Sequence, residues 1–235
     1  EATTELLRKV KPPNNGSNSV PAVIFLDTDG GTSHSPYWGV GYIPYNSSGL
    51  SQEQIQLVQA NVVEEYSPLN VIVTTDSTVY FAAPANKRMR VILTTSSQWY
   101  GSAGGVAYIN SMFWGNETPC WVFSGLLGFN VKKISDAVAH EAGHTLGLYH
   151  QAVWNENCIK LADYFSGIGT GILSLGPIMG VPYTKSITTF FRGSPSNRCT
   201  HHQYDIAIIS SAVGVKADDH GNNTATATII NVDKK

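Results

Sequence analysis

The feature that most constrains this chain is the stretch HEAGHTLGLYH at residues 140–150. Residues four apart in an α-helix lie on one face, one turn apart, so His140 and His144 can direct both imidazoles at a single ion. Glu141 would lie beside them, close enough to hold a water molecule without binding the ion. On a straight helix His150 could not be a third ligand, because it would lie about 9 Å further along the axis than His144.

Gly147 supplies the reversal that a third histidine ligand requires. Glycine adopts left-handed backbone conformations at almost no steric cost and commonly ends helices. The pattern therefore predicts a helix that ends near Gly147 and a turn that brings His150 back to the ion. Three neutral imidazoles would leave one position of a tetrahedral zinc ion open, as in catalytic zinc sites. Glu141 is then the candidate general base for hydrolysis of an amide bond.

The spacing HExxHxxGxxH resembles the zinc signature of the metzincin metalloendopeptidases. A short HExxH occurs by chance in unrelated chains, whereas the longer form adds a fixed glycine and a fixed third histidine. The segment Pro177-Ile178-Met179-Gly180 is similar to the Met-turn of that family, in which Met179 would form an apolar floor beneath the zinc ion. VIFLDTDGG, RVILTTSSQWYGSAGGVAYI and ADDHGNNTATAT are similar to segments of a secreted bacterial subset, so the resemblance runs from about Val20 to Thr228.

This resemblance implies an α/β (α+β) catalytic domain with two subdomains around a cleft. Its twisted five-stranded mixed sheet would be mostly parallel, with one antiparallel edge strand, and would pack on the active-site helix, with a C-terminal helix further along the chain. The predicted domain covers residues 20–214, with an upper subdomain at about 20–147 and a lower one at about 148–214. An N-terminal arm at 1–19 and a tail or linker at 215–235 would flank it.

Hydrophobic periodicity gives a compatible order of elements independently of the resemblance. Ser51 and Gln54 form a capping box for a first helix. A second helix is predicted to start near Ile134 or Ser135, and a last one to cover 202–213. The predicted strands are 20–27, 70–75, 89–95, 106–109 and 121–124. The order strand, helix, strand implies crossover connections and a sheet that is at least partly parallel.

The resemblance also implies where a substrate would bind. Metzincins bind their substrate as an extra strand along the antiparallel edge, and the candidate edge residues are Gly105, Val106 and Ala107. The glycine could let a substrate backbone approach closely, but a plain turn before a strand explains it equally well. Pro182 and Tyr183 are candidates for the wall of the pocket that receives the residue after the cleaved bond.

Two positions depart from the better-known metzincin subfamilies. Astacin-like and serralysin-like members carry a tyrosine two residues after the methionine, where this chain has Val181. Tyr183 or Tyr149 could stabilise the oxyanion instead, and the sequence does not choose between them. Gln151 follows the third histidine, where other subfamilies have Asp, Glu, Ser or Pro. The subfamily is therefore left open.

Charge and composition restrict the partners. The formal net charge is -2 and no block of Lys or Arg occurs, so neither nucleic acid nor an anionic membrane is an expected partner. No apolar run approaches the roughly 18 residues of a membrane span. Charged residues make up only 14% of the chain, which favours a secreted, extracellular enzyme. We expect a monomer that acts on protein or peptide substrates.

Three cysteines allow one intramolecular disulfide. Cys158 with Cys199 is the favoured pair, because both lie in a loop-rich region that a crosslink would steady. Three buried free thiols are the alternative. An accessory structural calcium ion could bind the acidic pair Asp218-Asp219, whereas Asp27-Thr28-Asp29 is better explained as a strand-ending turn, because an EF-hand glutamate is missing.

These observations leave three hypotheses for the function. The leading one is a secreted zinc endopeptidase. The second is a catalytically silent binding module of the same fold, for example with its cleft covered by residues 1–20, but the intact Glu141 argues against it. The third is a zinc hydrolase of a non-peptide amide or ester, against which a cleft wide enough for an extended chain would argue.

Overall fold

The computed structural model describes residues 20–39, 41–216, 223 and 225–228. The predicted arm at 1–19, most of the predicted tail and the pair Asp218-Asp219 lie outside the described residues. Within the described part of the chain, no helix combines the length and the apolar character needed to cross a membrane.

The described residues form thirteen strands and four α-helices. The strands are β1 (Ala22–Asp27), β2 (Gly31–His34), β3 (Tyr42–Tyr45), β4 (Val71–Thr74), β5 (Arg88–Thr94), β6 (Gly105–Val106), β7 (Cys120–Phe123), β8 (Val153–Trp154), β9 (Lys160–Ala162), β10 (Leu175–Pro177), β11 (Ile187–Thr189), β12 (Arg192–Gly193) and β13 (Gln203–Tyr204). The helices are α1 (Gln52–Glu65), α2 (Ser77–Ala82), α3 (Val131–Thr145) and α4 (Asp205–Val213).

The central sheet has five strands in the order β4-β1-β5-β7-β6. The first four strands are parallel, and β6 is antiparallel to β7, with Gly105 opposite Val122 and Val106 opposite Trp121. The inner strands read as nearly continuous apolar runs, because both faces of a parallel sheet are covered. The predicted five-stranded mixed sheet with one antiparallel edge is therefore confirmed.

Helices α1 and α3 pack together on one face of this sheet. Val58 and Val62 of α1 and Val138 of α3 are buried in the same core. Tyr66, at the end of α1, donates a hydrogen bond from its hydroxyl to the carbonyl of Ala139 at 3.0 Å. This packing fixes α3, which carries the histidine motif, against the middle of the sheet.

The capping box of α1 is confirmed, but other element boundaries differ from the predictions. Helix α3 starts at Val131, about one turn before the predicted start, because the side chain of Asn130 accepts the N–H of Lys133 at 3.1 Å and caps the helix there. The strand predicted at 106–109 is shorter in the structure, where β6 covers only Gly105–Val106. The chain turns at Asn110, which has a φ of 64°. The last helix starts at Asp205 because β13 pairs with β12. Helix α2 was not predicted.

The chain after α3 is largely irregular, with three two-stranded sheets, β8-β9, β10-β11 and β12-β13. The disulfide Cys158–Cys199 connects this region across a sequence separation of 41, which confirms the favoured pairing. Cys120 is a buried free thiol. The division of the domain into two subdomains at about residue 147 stays a prediction.

Candidate metal centre and active site

Three histidine side chains meet at the carboxyl end of α3. His140 and His144 come from successive turns of the helix, and His150 reaches them from the segment that follows it. The ring centroids are 4.7 Å apart for His140 and His144, 5.1 Å for His140 and His150, and 4.7 Å for His144 and His150. One nitrogen from each ring lies within 4.8 Å of the other two. The three residues can therefore converge on one metal ion.

Two of the three imidazoles are held by backbone carbonyls. Nδ1 of His140 hydrogen-bonds the carbonyl of Ile178 at 2.7 Å, and Nδ1 of His144 hydrogen-bonds the carbonyl of Leu148 at 2.7 Å. Since a carbonyl can only accept, each Nδ1 carries the proton and each Nε2 keeps its lone pair for a metal.

The electrostatics of the cluster favour neutral imidazoles, which is the form that binds zinc. Burial, and then the neighbouring rings of His144 and His150, hold the pKa of His140 well below its usual value. Burial lowers the pKa of His144 to about 4, with a further contribution from His150. Burial also lowers the pKa of His150.

The turn after α3 depends on Gly147. Its φ is 106°, and the amides of Gly147 and Leu148 bond to the carbonyls of His144 and Gly143 at 2.9 and 3.1 Å. A Cβ at this position would also lie only 2.7 Å from Oδ1 of Asn110. Both the conformation and the available space therefore require glycine here.

Met179 lies directly beneath α3 in a tight turn. The amide of Gly180 donates to the carbonyl of Pro177 at 2.9 Å, and Met179 is fully buried. A Cβ on Gly143 would come within 2.7 Å of the Met179 sulfur, so the small residue in the middle of the motif lets the methionine approach the helix. No local sequence pattern shows that Gly143 makes room for Met179, because this role depends on a tertiary contact.

Glu141 is buried next to the edge strand and is only 6% exposed. Burial raises the pKa of its carboxyl to about 8. A Cβ on Gly105 would lie 2.6 Å from Oε1 of Glu141 and 2.8 Å from the carbonyl of Trp121. Glu141 therefore occupies the space on the Cβ side of Gly105, and the expectation that this glycine lets a substrate backbone approach stays a prediction.

A cavity of about 200 Å³ opens over these groups. Its lining residues are Ala103, Gly104, Gly105, Ala137, His140, Glu141, Tyr164, Gly180, Val181 and Tyr183. A ligand in this cavity can therefore meet Gly105 of β6, His140 and Glu141.

Of the other candidate substrate residues, only one lines this cavity. Tyr183 lines it, and burial raises the pKa of its hydroxyl to about 12. Val106, Ala107 and Pro182 are not among the lining residues. Instead, the carbonyl of Pro182 accepts a hydrogen bond from Nζ of Lys132 at 3.4 Å.

Of the two tyrosines considered for the oxyanion, Tyr149 does not line the cavity either. Tyr164, which was not predicted as a site residue, lines the cavity, and its ring centroid lies 4.3 Å from that of His150. Tyr164 follows β9 in an irregular segment, and no local sequence pattern could have placed it at the cavity.

Among the described residues, the three histidines are the one group of His, Cys, Asp or Glu side chains close enough to hold a metal ion. The expected calcium site therefore finds no support in this part of the chain.

Residues 52–151 match the model of the M12B reprolysin-like metallopeptidase family. This segment runs from the start of α1 to the residue after His150 and includes Glu141 and all three histidines. The chain is therefore similar to this metallopeptidase family over that segment, which also holds the histidine cluster.

Two solved structures of myroilysin are also similar to this chain, each at 18% sequence identity with a TM-score of 0.32. One is matched over 62% of this chain and 50% of its own, the other over 66% and 51%. The chain thus spans about half the length of these structures, and a similarity of this size carries no argument about function. Comparison with curated protein sequences gives no match.

Proposed function

We propose that this protein is a metzincin-type zinc metalloprotease, a secreted endopeptidase that hydrolyses peptide bonds in extended segments of proteins with Glu141 as its general base. The observation that carries the proposal is the convergence of His140, His144 and His150 within 4.8 Å of one another, at a cavity that His140 and the buried Glu141 line. Burying such polar groups together costs free energy, so the stability of the fold does not explain why the histidines and the glutamate lie together.

The donor set fits zinc. Three neutral nitrogen ligands on a helix and the turn that follows it are typical of catalytic zinc sites, which keep one position open. When bound, zinc lowers the pKa of water to about 7 and polarises a carbonyl group. The hydrogen bonds that the two helical imidazoles donate from Nδ1 to the carbonyls of Ile178 and Leu148 orient the rings and leave each Nε2 available to bind the ion.

Glu141 is suited to the transfer of a proton. Its carboxyl group lines the cavity together with His140, where it can meet a water molecule bound at the metal site. It would take the proton of the attacking water and pass it to the leaving amine nitrogen. Gly105 is what leaves room for the carboxyl group between β6 and α3.

The substrate would bind as an additional strand along β6. This strand pairs with β7 on one side only among the described residues, so its other edge is free for main-chain hydrogen bonds. Tyr183 and Val181 also line the cavity. Tyr164, beside His150, and Tyr183 both line the cavity and are the candidates for the oxyanion, in preference to Tyr149.

Secretion is supported by the disulfide Cys158–Cys199, since disulfides persist mainly in oxidising compartments. Expression in a secreting host tests this part of the proposal. Recovery of the protein in the medium with that disulfide intact is expected, and a fully reduced cytoplasmic protein would contradict it.

The decisive experiment measures cleavage of denatured casein and of a random peptide library. We expect cleavage by the zinc-loaded protein and its loss both on chelation and in Glu141→Gln. Glu53→Gln, at an exposed position in the first turn of α1, is the matched control and should remain active. Cleavage that survives Glu141→Gln would refute the assigned base.

The same experiment separates the two alternative functions. Zinc binding without any hydrolysis would indicate a silent binding module. Turnover of small amides or esters, without cleavage of polypeptides, would indicate a hydrolase of non-peptide substrates.

A further inference from the structure

The third histidine is held differently from the other two. His140 and His144 each have a hydrogen bond on Nδ1, but the ring of His150 forms no hydrogen bond within the described part of the chain. Its one close ring neighbour outside the cluster is Tyr164. The position of this imidazole therefore depends on how firmly the backbone around residue 150 is fixed.

That backbone is fixed on both sides of His150. The amide of Tyr149 donates to Oε1 of Gln203 at 2.9 Å, and Nε2 of Gln203 donates to the carbonyl of Tyr149 at 2.7 Å. The side chain of Gln203 thus pairs with residue 149 as a neighbouring strand would. On the other side, the amide of Gln151 donates to the carbonyl of Met179 at 2.7 Å.

A single buried carboxylate holds the two glutamines. Oδ1 of Asp205 accepts hydrogen bonds from Nε2 of Gln151 at 3.0 Å and from Nε2 of Gln203 at 2.9 Å, and Oδ2 accepts the amide of Phe191 at 3.0 Å. Asp205 has no exposed surface and is the first residue of α4, where the helix dipole favours a negative charge. Gly193 provides the space in which the Gln151 side chain lies.

We propose that Asp205, through Gln203 and Gln151, is a positioning residue that places His150 as the third zinc ligand. Gln151 and Asp205 are 54 residues apart in the chain, so the start of α4 is coupled to the metal centre. This also gives a reason for the unusual Gln151: an amide after the third histidine can donate to a carboxylate that comes from elsewhere in the fold. The inference rests on the proposed zinc site.

The test measures zinc affinity in the metal-free protein by competition with a chelator. Gln203→Met keeps the length of the side chain and removes both hydrogen bonds to Tyr149 and the one to Asp205. We expect zinc affinity to fall about 10- to 100-fold, as for other residues that orient ligands. Gln59→Met is the matched control, because Gln59 also donates a side-chain hydrogen bond, to the carbonyl of Val73 in β4, at the edge of the sheet opposite to β6.

A merely structural role is excluded by a double-mutant cycle. If Gln203 acts through His150, Gln203→Met will leave zinc affinity unchanged in a His150→Ala background. An equal loss in both backgrounds overturns the proposal, as does a Gln203→Met protein that melts at a lower temperature but binds zinc as tightly as the wild type. Should that variant fail to fold, Gln151→Met, which keeps both bonds to Tyr149, is expected to show a smaller loss of affinity by the same assay.

The outcomes distinguish this inference from the proposed function. A wild-type protein that binds no zinc overturns both. Zinc binding by the wild type with unchanged affinity in Gln203→Met and Gln151→Met overturns the positioning role alone.

Discussion

Gly105→Ala is the substitution that tests most directly how the edge strand and Glu141, the proposed general base, fit together. The added Cβ would lie 2.6 Å from Oε1 and 2.7 Å from Cγ of Glu141, and 2.8 Å from the carbonyl of Trp121. The last distance is about 0.6 Å short of ordinary van der Waals contact, and the carbonyl belongs to a central strand that cannot easily move. The carboxyl group of Glu141 is therefore the part that must be displaced.

The size of the effect follows from that displacement. A misplacement of about 1 Å in a catalytic group costs roughly 100-fold in rate, or about 2.7 kcal/mol of transition-state stabilisation. Overpacking at this position should also cost about 1–3 kcal/mol of stability. None of the three atoms nearest to the new methyl group belongs to a histidine, so zinc affinity should stay close to that of the wild type.

The assay is kcat/KM on an internally quenched peptide, together with a zinc titration and a thermal melt. Gly125→Ala is the control, because a Cβ there would have one neighbour within 4 Å, a Phe129 ring carbon at 3.9 Å. Full activity of Gly105→Ala would refute the argument that this glycine is needed for Glu141. Loss of zinc binding in parallel with activity would show that the edge strand supports the metal site rather than the base.

Three further substitutions test other parts of the structure. Gly147→Val should lower zinc affinity more than tenfold and destabilise the protein by about 2 kcal/mol or more, because its φ is 106° and Asn110 blocks the side chain; an unchanged zinc titration would contradict this. Replacing Cys158 and Cys199 by serine should cost about 4 kcal/mol for a loop of this length, measured by urea unfolding against the oxidised wild type; an unchanged midpoint would argue that the crosslink does not constrain the unfolded chain. Burial, and then the charge of Asp136, raise the pKa of Glu65 to about 8. The folded state binds the Glu65 proton more tightly than the unfolded chain does. The contribution of the protonated carboxyl to the free energy of unfolding is therefore fully present below about pH 4.5 and is lost as the pH rises through about 8. Glu65→Gln should therefore raise the melting temperature at pH 8.5 relative to the wild type and change it little at pH 4.5, and equal shifts at both pH values would contradict the titration.

The sheet was predictable from the sequence where the local signal was strong. Apolar runs such as AVIFLD mark buried strands, and the capping box at Ser51 marks a helix start, because both signals depend on neighbouring residues alone. The start of α3 was misplaced because Ile134 begins the buried face, while the polar cap at Asn130 starts the helix. Strand β6 was overestimated because the turn at Asn110 depends on a left-handed residue other than glycine.

The histidine motif was predictable for a related reason. Four of its five determining residues lie on one helix or immediately after it, so their relative geometry follows from helical periodicity and one reversal at Gly147. The pairing of Cys158 with Cys199 was a choice among few combinations, and the structure settled it.

The sequence by itself therefore determined the local chemistry: three imidazoles and a carboxylate in a spacing that only a helix followed by a turn can bring together. The tertiary structure alone decided what surrounds them. The room that Gly105 leaves for Glu141, the approach of Tyr164 to His150 and the carboxylate of Asp205 behind Gln151 each join residues that are far apart in the chain. Such contacts depend on the packing of strands, helices and loops against one another, and no periodicity of neighbouring residues encodes them.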